Sequence, residues 1–202
     1  WTSRARGALT LRLALEAGAG GPLRFLIENG SQPHVWRWNS GQVVAMPPSE
    51  WGNPLLPEVE LSAFDLLMPF LFWPEAVYQG TERVRGREAR AFVFNAPAAG
   101  GVPAEIGAAR VYLDSQVNAL LQYDVLDRSS RVIRTFSLVS LKRVDATVMP
   151  KVLEFRNERS RDKARLQFTT AMMGVDLAPG LFVPEVLAED VAAPAGRRLA
   201  LE

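Results

Sequence analysis

The chain has 202 residues, 48% of them hydrophobic and 22% charged, with 23 Lys and Arg against 22 Asp and Glu. That size and make-up suit one domain with a sizeable core, and the charge balance gives no support for a nucleic-acid-binding surface, which needs a strong basic excess on one face. With no cysteine and a single histidine, His34, the chain excludes disulfides, thiol nucleophiles, Cys-ligated zinc and a His-rich metal site.

The first half alternates with a period of two, as half-buried strands do. In "GALTLRLALEAG", Leu9, Leu11, Leu13 and Leu15 fall on one face. A turn is expected at "GAGG" (18–21), and "PLRFLIENG" then places Leu23, Phe25 and Ile27 on one face. "HVWRWNSG" does the same for Trp36 and Trp38, and "QVVAM" follows. Three or four such strands with Gly-rich turns predict an antiparallel meander.

After the proline-rich stretch "PPSEWGNPLLPEVE", Ser62 and Asp65 have capping-box spacing and predict a helix start. Phe64, Leu67, Met68, Leu71 and Phe72 form one helical stripe, with Leu66, Phe70 and Trp73 beside it. A helix apolar on so many sides needs cover on more than one of them. Pro69 predicts a kink or break at Met68. No run reaches the ~18 to 20 apolar residues of a membrane-spanning helix.

Strand patterns then resume. A hairpin is expected to turn at Arg85-Gly86-Arg87, and about five more strands follow, with turns at 115–118, 127–130, 145–150 and 157–163. The mixed-sign "RNERSRDKAR" (156–165) reads most simply as a solvated hairpin tip, with a partner-docking role as the alternative. The whole is mainly β (α+β): a large, strongly curved antiparallel sheet or part-barrel. Residues 1–188 are expected to form one domain. The Ala-rich 189–202 reads as a frayed tail, ending in Leu201-Glu202 like a cloning scar. The start at Trp1 rather than Met has two readings, a removed signal peptide or an expression boundary.

Catalytic constellations are thin. A Ser-His-Asp arrangement would have to use His34, in a turn before a strand, and no G-x-S-x-G elbow or H-E-x-x-H motif is present. Asp114, Asp124 and Asp127 lie at strand ends or turns, where Asp usually bonds backbone. No catalysis and no cofactor are expected. What stands out is apolar: Leu9, Leu11, Leu13, Phe25, Ile27, Trp36 and Trp38 could point into one concavity, with segment 61–73 against them. These side chains either fill an ordinary core or line a cavity for acyl chains.

The ordered set "LSAFDLLMPFLFWP", "GTERVRGREARAFVF", "RVYLDSQVNALLQYDVLDRSSRVIRTF" and "LFVPEVL" resembles the LolA/LolB-like family of periplasmic lipoprotein carriers, in its outer membrane lipoprotein-sorting branch. The resemblance implies an unclosed antiparallel β-barrel whose concave face is covered by short helices. It also implies a periplasmic location and an apolar cavity for lipoprotein acyl chains or another lipid. That cavity would use the apolar residues named above, including Met68, Phe70, Leu71, Phe72 and Trp73. Membrane-associated donor and acceptor proteins are the implied partners, without nucleic acid and without a membrane span. A lid-holding arginine is implied too, with Arg12, Arg24 and Arg37 as equal candidates. The alternative within the same fold is a periplasmic sensor or interaction domain that binds a protein partner.

Overall fold

The computed structural model describes residues 2–5, 8–16, 21–39, 41–56, 59–98, 102–144, 147–192 and 195–201. Among these residues, alternating apolar and polar side chains build two large antiparallel sheets that do not close on each other. The N-terminal sheet has five strands in sequence order: β1 (Thr2–Ala5), β2 (Ala8–Glu16), β3 (Pro22–Asn29), β4 (His34–Asn39) and β5 (Gln42–Ala45). The pattern of the sequence anticipates all but β1, which is too short and polar to show a period. The expected turn at 18–21 lies, apart from Gly21, outside the described residues.

The second sheet is a seven-stranded meander. Its strands are β6 (Val77–Val84), β7 (Arg87–Asn95), β8 (Ile106–Asp114), β9 (Leu120–Asp127), β10 (Val132–Val144), β11 (Thr147–Asn157) and β12 (Lys163–Gln167). The β6–β7 hairpin turns on Arg85 and Gly86, with φ of 50° and 83°. Two consecutive left-handed residues give the tight loop whose twist matches the flanking strands. Of the turn expected over 145–150, positions 145 and 146 lie outside the described residues and the rest is strand. β11 already starts at Thr147, and Pro150 pairs with Leu141 beside an irregularity in β10, where a missing N–H is tolerated.

Between the sheets in sequence lies α1 (Ala63–Leu67), only five residues long. Its capping box forms as the sequence predicts: Ser62 Oγ accepts from the Asp65 N–H, and Asp65 Oδ2 accepts from the Ser62 N–H at 2.9 Å. Met68 ends the helix in the left-handed region at φ 44°, and a 3-10 turn, Pro69–Phe72, follows. The break before Pro69 therefore splits the anticipated helical stripe.

One core cluster joins both sheets. It contains Phe25, Ile27 and Val35 from the first sheet, Val111, Tyr123, Val125, Phe136 and Phe155 from the second, and Phe64, Leu67 and Phe70 between them. Near the end of the described residues two short strands pair and one apolar side chain is buried. β13 (Thr170–Ala171) pairs with β14 (Leu199–Ala200), and Leu201 is fully buried.

Close approach fixes one glycine. A Cβ on Gly107, in β8, would stand 2.7 Å from the Asp127 carbonyl oxygen and 2.8 Å from Arg128 Cα. Both are backbone atoms that cannot turn aside. Gly107→Ala is expected to destabilise the fold by about 1–3 kcal/mol, read as a lowered urea midpoint with unchanged slope.

Candidate functional site

The interior between the sheets is built from strand parity. Leu13 pairs with Phe25, Leu11 with Ile27 and Leu9 with Asn29, so these residues share one face. Phe25 then pairs with Arg37 and Ile27 with Val35, which puts the odd-numbered residues of β4 on that face. Trp36 and Trp38 therefore do not join it. They lie opposite Leu26 and Arg24, on the far side of the sheet. The loop from Asn29 to His34 sets this parity, and strand periodicity alone cannot see it.

Phe64, Leu67 and Phe70 are essentially inaccessible and lie in the core that both sheets share. Trp73 packs on this group, with ring centroids 6.3 Å from both Phe64 and Phe70. From Phe70 an aromatic row crosses the second sheet. Phe70 stands 4.8 Å from Tyr123, Tyr123 stacks on Phe136 at 4.8 Å, and Phe136 is 5.3 Å from Phe155. Half-buried Leu11, Leu13, Leu66, Met68 and Trp73 edge the cluster. Leu71 and Phe72 are 46% and 42% exposed, because the 3-10 turn after Met68 rotates them to the surface.

Polar groups hold this segment at both ends. Arg134 shares the inward face of β10 with Phe136. Its Nη1 donates to Ser62 Oγ at 2.6 Å and to Asp65 Oδ2 at 3.1 Å, and its Nη2 donates to the Gly52 carbonyl at 2.9 Å. The Tyr123 hydroxyl donates to the Asp65 carbonyl at 3.1 Å. Complete burial, and then the Asp65 carboxylate, push the Tyr123 pKa well above its ordinary value, so it stays a donor. At the other end Asn29 Nδ2, from β3, donates to the Leu67 carbonyl, one of the acceptors a helix C-terminus leaves open. One sheet thus holds the N-terminus of α1 and the other its C-terminus.

None of the three arginines singled out from the sequence makes these contacts. Arg12 and Arg24 point away, to the C-terminal segment. His34 is exposed at the start of β4, stacked on Trp36 and 3.7 Å from Glu28. Asp114 and Asp127 bond backbone amides of their turns, as expected. Among the described residues no group of three or more His, Asp or Glu is placed to hold a metal ion, and no helix is long and apolar enough to cross a membrane.

Asp124 departs from the expected turn role. It lies on the outer face of β9 and accepts from Gln122 Nε2 at 3.0 Å, Thr135 Oγ1 at 3.1 Å and the Tyr112 hydroxyl at 3.1 Å. Burial outweighs these donors and raises its pKa. An acid whose folded pKa is raised loses stability as pH climbs through that range, the reverse of Asp114 and Asp127, whose backbone hydrogen bonds lower theirs. Asp124→Asn is expected to gain on the parent between pH 4 and pH 7 in urea midpoints. Asp114 and Asp127 act equally in both proteins and cancel.

No family model matches the sequence, and neither does any curated protein. Solved structures do. A protein described as an outer membrane lipoprotein-sorting domain from Vibrio parahaemolyticus superposes with a TM-score of 0.71 at 15% identity, covering 90% of this chain and 84% of that one. A DUF1329 family protein from Desulfovibrio piger gives 0.66 at 12% identity, with 89% and 82% covered. A LolA superfamily protein from Nitrosomonas europaea gives 0.55 at 11% identity, with 89% and 83% covered. Two antiparallel sheets that do not close, together with superpositions that cover most of each chain, establish that this protein has the LolA-like fold.

Proposed function

We propose that the chain is a periplasmic lipid- or lipoprotein-binding carrier in outer-membrane lipoprotein sorting, and that it shields acyl chains between its two sheets without catalysing a reaction. The observation that carries this reading is what fills that space. Phe64, Leu67 and Phe70 occupy the middle of an apolar and aromatic interior, on a five-residue helix and a 3-10 turn. Side-chain hydrogen bonds at the two helix ends hold this segment in place.

An acyl chain gains ~0.8 kcal/mol per buried methylene. A carrier therefore has to offer apolar surface when loaded and cover it when empty. A short segment fixed by a few discrete bonds is suited to such an exchange, and half-buried Met68 at its break adapts readily to new neighbours. The architecture shared with a lipoprotein-sorting domain and a LolA superfamily protein supports the same reading. Membrane-associated proteins would deliver and receive the cargo.

Native mass spectrometry of the full chain, incubated with diacyl lipid vesicles and separated from them, tests this directly. Acyl lipid recovered near one molecule per chain is expected. Protein that stays lipid-free overturns the carrier reading, and capture of a membrane-bound regulator in that state would favour the interaction-domain alternative.

A further inference from the structure

The outer face of the N-terminal sheet carries a charged cavity beneath the C-terminal segment. After β13 the chain returns across this face through two 3-10 turns, Pro179–Phe182 and Pro184–Val186, and anchors there with the fully buried Leu187. Arg12 and Arg24, 5% and 7% exposed, meet it side by side. Arg12 donates to the carbonyls of Leu181, Val186 and Glu189 at 2.7–2.9 Å. Arg24 donates to the Ala188 carbonyl and to the Asp190 carboxylate, while its guanidinium lies 4.6 Å over the Trp38 ring. Trp38 Nε1 is buried without a hydrogen-bond acceptor among the described residues.

A cavity of about 430 Å³ opens between sheet and segment, lined by Arg12, Arg24, Glu189, Asp190 and Val191 among others. Burial first, and then the neighbouring Arg24, disfavour the charge of Arg12, while the Glu189 carboxylate favours it. Placing two guanidiniums together in a near-buried position suits a multiply charged oxyanion better than a single carboxylate. Asp190, whose side chain is 93% exposed, is bonded to Arg24 at the cavity wall and loses little by swinging into water.

We propose that this cavity binds a phosphate-type oxyanion, which takes the place of the Asp190 carboxylate on Arg24 and draws on the charge of Arg12. Asp190 then acts as a built-in competitor. The site is on the opposite face of β2 and β3 from the apolar interior and does not depend on the carrier reading.

The test is calorimetric titration of the full chain with inorganic phosphate at low ionic strength. Wild type is expected to bind, and Asp190→Asn to bind about two- to fivefold more tightly, the range of an exposed ion pair. Arg24→Gln is expected to lose the heat signal with its circular dichroism unchanged. Asp190→Asn is a surface change and keeps the test decisive even if Arg24→Gln folds poorly. Sedimentation with phosphatidylglycerol vesicles, against neutral phosphatidylcholine, separates the sources. Vesicle binding that strengthens in Asp190→Asn assigns a lipid headgroup, and phosphate binding without vesicle binding assigns a soluble phosphate. Phosphate affinity equal in wild type and Asp190→Asn, or intact in Arg24→Gln, overturns the proposal.

Discussion

Replacing Arg134 with Met is expected to cost about 3–5 kcal/mol, a large part of the stability of a chain this size. The cost does not come mainly from the lost attraction. Asp65 is almost completely buried, and without Arg134 its carboxylate keeps, among the described residues, the Ser62 and Tyr123 donors. A buried charge stripped of its counter-ion carries its desolvation cost unrelieved. The Gly52 carbonyl and Ser62 Oγ lose a donor in the same step. A double-mutant cycle separates these contributions. Arg134→Met combined with Asp65→Asn should cost clearly less than the sum of the singles, because the second change removes the stranded charge. Additive costs in urea titrations would show that the pair is not coupled and that the plug is held by packing alone.

The same residue shows what could and could not be read ahead of the structure. Local chemistry was legible: the Ser62–Asp65 cap, the break before Pro69 and the Arg85-Gly86 hairpin all form where the side chains dictate. Their causes lie within four residues of each other. The partner of Asp65 is 69 residues away, and nothing local names it. A signal was nonetheless present. Arg134 has the strand phase of the core residue Phe136, which puts a charge beside an apolar core position, and such a charge needs a buried partner. Trp36 and Trp38 failed for a related reason. Each strand's period is visible, but the phase between β3 and β4 is set by the loop that pairs Glu28 with His34. A shift of one residue there exchanges the two faces. Leu71 and Phe72 failed because a helical stripe was extended past the point where Met68 leaves helical geometry. The Ala-rich 189–202 has little pattern, yet Leu201 within it is buried and β14 pairs with β13.

The second large effect concerns cargo. Leu67→Glu puts a carboxylate at a position with no solvent access, and it is expected to unfold much of the population, so loss of lipid in that variant would say little. Leu66→Glu is the informative change. Leu66 is half-buried at the edge of the same core, where a longer polar side chain can reach water. Its far-UV spectrum and urea midpoint should stay near those of the parent. Lipid recovered with the chain should fall about tenfold or more, since losing contact with roughly two methylenes at ~0.8 kcal/mol each already accounts for that factor. Arg134→Met supplies the opposite prediction if the plug is displaced by cargo. Weakening the bond that holds α1 closed favours the open state, so lipid uptake from vesicles should speed up although stability has dropped. Slower or unchanged uptake in Arg134→Met, with Leu66→Glu still able to bind, would identify segment 61–73 as a permanent core element and place any acyl site elsewhere. Faster uptake in Arg134→Met and loss of lipid in Leu66→Glu are the outcomes expected together when the segment covers the site and moves to expose it.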